Sequence, residues 1–279
     1  MLDLLKVDFK RVLKDKLVLV VCIIAGVFAI ITPFLYLVIF AGVGMEDMED
    51  MALLGLGVNG KAQFFDFFSL GNNLGLIAPV LLAIAICKDF SQGTVRNKII
   101  SGKSRTSVFF SMLTVCFTVM FAIMLLGALL TLGISLIFFP FQNTDFVASD
   151  VGYFLLSILF EAILYAFVAA FLCFLCASMK NVGLVIVGYI AFVMAMTFVT
   201  SLLQIGEMMI DAKVFDTPEA VRKVIGFLQD VNVFNFASVI GKGVTYSTGE
   251  ILCCILSPLI GAVGFTAWGV AAFNRRDLK

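Results

Sequence analysis

Long apolar segments alternate with short polar ones along the chain. Six runs contain about 20 or more mostly apolar residues, the length that an α-helix rising about 1.5 Å per residue needs to cross about 30 Å of hydrocarbon. The third run is longer than one crossing requires, so we expect it to tilt or to project from the membrane. The pattern predicts six transmembrane helices, at residues 17–41, 64–87, 108–138, 153–178, 182–204 and 250–273.

Composition strengthens this interpretation. Hydrophobic residues make up 62% of the chain and charged residues 14%, whereas soluble proteins average roughly 45–50% and 25%. The formal net charge is zero, which argues against a nucleic-acid partner and leaves lipid as the partner that composition implies. All seven cysteines lie in or beside apolar runs. We interpret Cys173 and Cys176, which form a C-x-x-C, as membrane-buried thiols rather than a metal or redox site.

Basic residues give the orientation, because Lys and Arg are retained on the cytoplasmic side of a membrane. If both termini are cytoplasmic, fourteen of the nineteen Lys and Arg residues lie inside and five lie outside. The opposite topology reverses that ratio. The chain is therefore predicted to be an all-α membrane protein, a single domain over residues 1–279 with both ends in the cytoplasm.

Three polar segments are expected to have structure of their own. Residues 1–16 carry Leu2, Leu5, Phe9, Val12 and Leu13 on one helical stripe and lysines on another, which is typical of an amphipathic helix at the cytoplasmic surface. An unstructured positive anchor is the alternative. Residues 205–249 are predicted to form an outer helical cap before the last span.

The cap prediction depends on its helical pattern. Thr217 is expected to cap a helix that Pro218 begins. Apolar residues then recur with helical spacing and need a surface to pack on; they are Val221, Val224, Ile225 and Leu228.

The cytoplasmic segment 88–107 reads KDFSQGTVRNKIISGKSRTS. Thr94 is expected to cap a short basic helix with Val95 and Ile99 one turn apart, and Gly102 is expected to end it. Such a helix is suited to docking a soluble partner. A solvated basic loop that serves only topology is the equally weighted alternative.

Glu161 is the acid that lies well inside a predicted span. An ionised carboxylate near the membrane centre costs about 2.5–3.5 kcal/mol on insertion scales, so it needs a polar cavity, a proton or a partner. We assign it to a substrate path with Asn72 and Asn73, against the alternative that it is protonated and only joins helices. Other polar residues in the predicted spans are candidate hydrogen-bond partners of Glu161; these are Thr118, Thr131, Ser135, Thr197 and Gln204.

Other apparent motifs lack the context that their chemistry requires. Gly55, Gly57 and Gly60 spell the dinucleotide fingerprint G-x-G-x-x-G, but they lie in an outer loop rather than after a strand. The Gly102-Lys103-Ser104 triplet lacks the earlier glycine of a P-loop. The chain has no histidine, which excludes Ser-His-Asp and Cys-His sites and argues against an intramembrane enzyme.

The start LLKVDFKRVLKDK, the loop KDFSQGTVRNKIISGKSRTSVFF after the second span, the six spans and the long outer segment before the last one together resemble the ABC-2-type permeases. These are membrane subunits of ATP-binding-cassette exporters, and the likeness is to those of Gram-positive bacteria. It covers essentially the whole chain, and its most specific part is the 88–107 loop.

The resemblance implies a place in the bacterial cell membrane and two protein partners, a separate ATPase subunit and a second permease copy or paralogue. It implies no cofactor on this chain, with ATP and Mg held by the ATPase subunit. It also implies that the outer segment forms short re-entrant helices. By this resemblance, the helix that docks the ATPase consists of Gly93, Thr94, Val95, Arg96, Asn97, Lys98 and Ile99.

The sequence thus favours a non-catalytic permease subunit of an ATP-driven exporter, whose cargo we expect to be an amphipathic peptide, a drug or another hydrophobic small molecule. One alternative is a proton-coupled secondary transporter in which Glu161 titrates. Another is a membrane sensor or scaffold that transports nothing.

Overall fold

The computed structural model describes residues 2–43, 59–70, 73–141, 147–179, 181–211, 218–236, 240 and 246–276. Regular structure in these residues is helical. A short 3₁₀ turn, Val233–Asn235, follows the ninth helix. The ten α-helices are α1 (Leu2–Val12), α2 (Lys16–Val43), α3 (Gly60–Phe68), α4 (Asn73–Ser91), α5 (Thr94–Ile100), α6 (Arg105–Phe138), α7 (Ala148–Ser178), α8 (Val182–Asp211), α9 (Glu219–Val231) and α10 (Thr248–Arg275).

Five helices are long and apolar enough to cross a membrane, namely α2, α6, α7, α8 and α10, and a sixth span results if α4 and α5, bent by 51°, are counted as one. The protein is therefore an all-α, multi-pass membrane protein. The long third run forms α6, whose 34 residues extend about 51 Å, more than one crossing needs.

The two ends of the bundle differ in charge. We call the end where α2, α6 and α10 carry Lys16, Arg105 and Arg275 the basic end, and it also holds α1 and α5. The opposite end, where α9 packs against α8 and α10, we call the cap end.

α7 is the central helix and packs against α4, α6, α8 and α10. Phenylalanines fill the spaces around it: the Phe171 ring lies 4.3 Å from Phe192 of α8 and 4.8 Å from Phe265 of α10, centroid to centroid. Close approach depends on small residues, since a Cβ on Gly269 of α10 would lie 2.6 Å from Phe109 of α6. This aromatic packing contributes much of the contact between these helices.

The predicted second span, 64–87, is not one continuous helix. α3 starts at the cap end, where the Gly60 and Lys61 N–H groups each donate a 2.9 Å hydrogen bond to the carbonyls of Pro140 and Phe141. It ends at Phe68, whose ring lies 5.7 Å from that of Phe121, near the middle of α6. α4 begins at Asn73 and continues to the basic end. A break therefore divides this segment at about half the length of α6.

The cap region differs from prediction in its details. Pro218 is the N-terminal cap of α9 and not its first helical residue, while Thr217 lies outside the described residues. The apolar face expected to be packed is largely exposed, with Val224 57% and Leu228 47% accessible. Gln229 is buried instead.

Apolar side chains also cover much of the outer surface of the bundle. Five apolar side chains on α2, α8 and α10 are each between 56% and 69% exposed: Leu19, Leu35, Phe198, Ile260 and Val263. Such surface is unfavourable in water and suits a hydrocarbon environment.

Candidate functional site

The short basic helix predicted from the sequence forms as α5, with glycine at each boundary. Gly93, in the left-handed region at φ 69°, is its N-terminal cap, so the prediction that Thr94 caps the helix is wrong. Gly102, at φ 86°, ends it as expected. The Gly102 N–H donates to the Ile99 carbonyl at 3.0 Å and the Lys103 N–H to the Lys98 carbonyl at 3.2 Å. This is a Schellman motif, which requires a residue that tolerates positive φ.

One face of α5 is fixed to the rest of the bundle. Val95 is 1% exposed, and Ile99 packs against the same core. The Lys98 ammonium lies 2.6 Å from a carboxylate oxygen of Asp8 in α1, and both side chains are largely buried. Because a charge in this position needs its partner, the ion pair holds α5 against α1.

Asp8 was not identified from the sequence. It is 3% exposed and accepts a 2.7 Å hydrogen bond from the Ser111 hydroxyl of α6, in addition to its ion pair with Lys98. It therefore joins α1, α5 and α6. The signal was present, because Asp8 interrupts the apolar stripe of an amphipathic helix next to Leu4, which is also buried. Leu13, assigned to that stripe, lies beyond α1 and is 64% exposed.

Two more ion pairs join α1 and the following elbow to α4. Arg11 pairs with Asp89, and the Lys88 ammonium lies 3.6 Å from Asp15. Asp15 also accepts a 2.9 Å hydrogen bond from the backbone N–H of Leu17, which fixes the turn between α1 and α2. A small cavity remains between these helices, lined by the paired Asp8, Arg11, Asp89 and Lys98 and by apolar side chains.

Arginines cap the carboxyl ends of two helices at the basic end. Arg105 donates to three carbonyls at the end of α10, those of Phe273, Asn274 and Arg276, over 2.8–3.2 Å. Arg276 donates to the carbonyls of Cys176 and Ala177 at the end of α7, and its guanidinium lies 4.4 Å from the centre of the Phe90 ring. Burial lowers the pKa of Arg276, but an arginine remains charged at neutral pH.

The opposite face of α5 points away from the bundle. Arg96 and Asn97 are exposed, and Ile100 is 72% exposed. Gly93 and Thr94 are half-buried. The seven predicted docking residues therefore divide between a face that contacts the protein and a face that is open, and Ile100, which was not among them, belongs to the open face.

Glu161 lies near the middle of α7 and is fully buried. The backbone N–H of Leu70, in the break between α3 and α4, faces its carboxylate. Within the part of the chain that the structure describes, neither carboxylate oxygen accepts a hydrogen bond of normal geometry. Asn72, assigned with it to a substrate path, lies outside the described residues, and so does the side chain of Asn73.

The other suggested companions of Glu161 have different partners. The Ser135 hydroxyl donates to Gln63 at 2.6 Å, and Thr131 donates to the Gly127 carbonyl at 3.1 Å, so both belong to the contact between α3 and α6. Thr197 donates to the Val193 carbonyl of its own helix. Gln204 donates to Asn235 at 3.4 Å near the cap end. Thr118 is exposed on α6.

The cysteines that the structure describes are free. The Cys87 and Cys176 sulfur atoms lie 3.3 Å apart where α4 meets α7. Across the described ranges, no group of three or more His, Cys, Asp or Glu residues is arranged to hold a metal ion.

Comparisons with protein-family models and with curated proteins give no match. The basic end and Glu161 are therefore the features of the molecule that bear on its function.

Proposed function

We propose that this chain is the membrane-embedded permease subunit of an ATP-driven exporter, and that α5 docks a separate ATPase subunit. One observation supports the proposal most directly. One face of the short basic helix α5 packs against α1, α4 and α6, and its other face is exposed. A helix that served only to connect two spans would not need a buried ion pair to hold it in place.

The proposal includes an orientation. The basic end is cytoplasmic, because fourteen of the nineteen Lys and Arg residues belong to that side. In this proposal α3 and α4 together make the sixth crossing, and α5 lies outside it instead of forming a bent span with α4. Six crossings bring both termini to the cytoplasmic face. A discontinuous helix is tolerated at membrane depth when its free backbone groups are enclosed by protein. The membrane is the bacterial plasma membrane.

The contacts at the basic end explain how force would be transmitted. A push on Arg96 or Ile100 moves α5, and the Lys98–Asp8 pair passes the displacement to α1. The Arg11–Asp89 pair connects α1 to α4, so the broken second crossing moves with them. ATP and Mg act on the partner subunit, which supplies the work.

Two permease subunits, identical or paralogous, form the pathway in this proposal. The bundle's surface is largely apolar, which favours an amphipathic or hydrophobic cargo over a strongly charged one. Glu161 is a fully buried acid near the middle of α7 and is the residue we assign to the cargo path.

The test is purification of the tagged full-length chain from native membranes with and without charge reversal on α5. We expect a nucleotide-binding subunit to co-purify with the wild type and to be lost from Arg96→Glu combined with Ile100→Glu. Both residues are exposed, so the fold should be unaffected, and unchanged thermal unfolding checks this. Lys98→Glu is unsuitable because it also breaks the pair with Asp8.

The matched control is Lys6→Glu, the same kind of charge change on the exposed face of α1. It should leave the partner bound. Purification of the wild type without a nucleotide-binding partner, together with transport in vesicles that contain this chain alone and no nucleotide, would instead establish a secondary transporter.

A further inference from the structure

Three polar side chains lie on one face of α7, four residues apart. Ser157, Glu161 and Tyr165 are each 0% exposed. Residues four apart follow one another along a helix face, so these groups form a buried polar row through the middle of an apolar helix. The row contacts the break between α3 and α4: Tyr165 donates a 2.7 Å hydrogen bond to the Phe68 carbonyl, and the Leu70 N–H faces Glu161.

No opposite charge faces Glu161 within the described residues. The titratable groups near it are Tyr165 on its own helix, Tyr246 before α10 and Cys254 on α10. Among the described residues of the break, the backbone N–H of Leu70 faces Glu161, and the Phe68 carbonyl at the end of α3 bonds Tyr165. Hydroxyls and a thiol do not neutralise a carboxylate. A fully buried carboxyl without a counter-charge is most stable with a proton bound.

The row is connected to the cap end by hydroxyl groups. The Tyr246 hydroxyl is hydrogen-bonded to the Ser157 hydroxyl, and it also donates to the Ile240 carbonyl at 3.3 Å. Tyr246 is half-buried, whereas Ser157 and Glu161 are fully buried, so burial decreases toward the cap end. The Ser157 hydroxyl donates to the Tyr153 carbonyl at 2.8 Å, and Ser157 is one helical turn from Glu161. Two hydroxyls thus lie on the cap-end side of the carboxyl.

Among the described residues, no series of hydroxyl groups leads from Glu161 to the basic end. Beyond Tyr165 the same four-residue spacing continues with Ala169 and Cys173, both fully buried. The Phe68 and Phe121 rings pack around Tyr165 at 5.8 and 6.2 Å between centroids. In the part of the chain that the structure describes, the linked hydroxyl groups near Glu161 therefore lie toward the cap end.

We infer that Glu161 is a proton-binding site of this protein, filled from the cap end through Tyr246 and Ser157. In the step itself a hydronium ion at the cap end gives up one proton, one carboxylate oxygen gains an O–H bond, and a water molecule remains. No electrons are transferred. The site holds its proton whichever energy source drives transport, so the inference is independent of ATPase docking.

Proton occupancy changes what the carboxyl does at the break. The ionised form accepts from the Leu70 N–H, whereas the protonated form also presents a donor. The proton concentration at the cap end consequently controls the hydrogen bonding of Glu161 at the junction of α3 and α4. In the proposed orientation that end faces outside.

The test is infrared spectroscopy of the purified full-length chain in lipid nanodiscs during transfer from H₂O to D₂O. A protonated carboxyl gives a carbonyl band that shifts on deuteration. We expect such a band, its loss in Glu161→Gln, and a displaced band in Glu161→Asp, which keeps a carboxyl if the glutamine variant folds poorly. Absence of any band sensitive to residue 161, from mildly acidic to mildly alkaline pH, overturns the inference.

The proposed proton path through Tyr246 and Ser157 is tested by the rate at which the Glu161 carbonyl band shifts after transfer to D₂O. Tyr246→Phe and Ser157→Ala should each slow exchange of the Glu161 band several-fold. Ser135→Ala, which removes a buried hydroxyl from α6 at the contact with Gln63, should leave the rate unchanged. Equal exchange rates in all these variants would overturn access through Tyr246 and Ser157.

Discussion

The carboxylate of Asp8 lies between the Lys98 ammonium and the Ser111 hydroxyl, and its burial makes both contacts costly to lose. Periodicity alone predicted α1, because apolar residues recur along it. The partners of Asp8 lie about a hundred residues away, and no local pattern encodes such a pair. What the sequence does contain is the anomaly, an acid within an apolar stripe.

Replacing Asp8 tests this pair. We expect Asp8→Leu to lower the free energy of unfolding by about 2 to 3 kcal/mol, because Lys98 is left without its partner but can partly reach water. Asp8→Leu with Lys98→Met should recover most of the loss. The measurement is thermal or denaturant unfolding of the four variants as a double-mutant cycle. Additive effects of the two substitutions would contradict the pair.

Gly127 tests packing at the cap half of the bundle. A Cβ at this position would lie 2.3 Å from the Phe67 ring of α3, so Gly127→Ala should destabilise the protein by about 1 to 3 kcal/mol through overpacking. Gly133→Ala on the same helix has open space around it and should stay within about 0.5 kcal/mol of the wild type. Equal unfolding midpoints for the two variants would contradict the packing of α3 on α6.

At the level of elements, hydrophobic run length predicted the long helices well, since crossing hydrocarbon imposes a minimum length. It did not predict that the second run is two helices. Apolar content is similar on both sides of the break, and the available signal was the cluster Gly71, Asn72 and Asn73, which is unusual within a helix. The predicted N-terminal boundary of α5 was wrong for a related reason. Gly93 adopts positive φ and is the N-terminal cap, so a threonine cap is not needed.

The arginine caps were also not predicted, because the carbonyl partners of Arg105 and Arg276 lie far away in the sequence and no local pattern indicates them. Arg276→Ala should cost about 1.5 to 3 kcal/mol, since the last carbonyls of α7 lose a charged donor. The adjacent Arg275→Ala is the matched control, because Arg275 is exposed, and it should change stability by less than about 0.5 kcal/mol. Unfolding of the two variants in the same detergent measures the difference.

For the whole molecule, composition and charge bias predicted a multi-pass helical protein with a basic face, and the described helices agree with the first part. Orientation remains a prediction. Single cysteines at Asp3, Lys103 and Arg275 in a cysteine-free background should be protected from a membrane-impermeant maleimide in intact cells. A cysteine at Thr248, at the cap end, should be labelled. Labelling of Lys103→Cys and protection of Thr248→Cys would show the inverted orientation.

The basic end and the buried Glu161 are connected in the structure, although no sequence pattern links them. The basic end is fastened by ion pairs and arginine caps, and Glu161 lies at the break in the middle of the bundle. α4 connects them, because Asp89 near its end pairs with Arg11 while its start follows the break. Motion of α5 therefore has a physical route to the centre of the protein.

The most direct test of this account is photo-crosslinking from the open face of α5 in native membranes. A photoreactive amino acid replaces Asn97, and the same group at Lys6 on α1 serves as the control. We predict that Asn97 captures a nucleotide-binding ATPase subunit, identified by its peptides, and that Lys6 does not. Capture of lipid alone at Asn97, or of the same proteins at both positions, would contradict α5 as the docking helix.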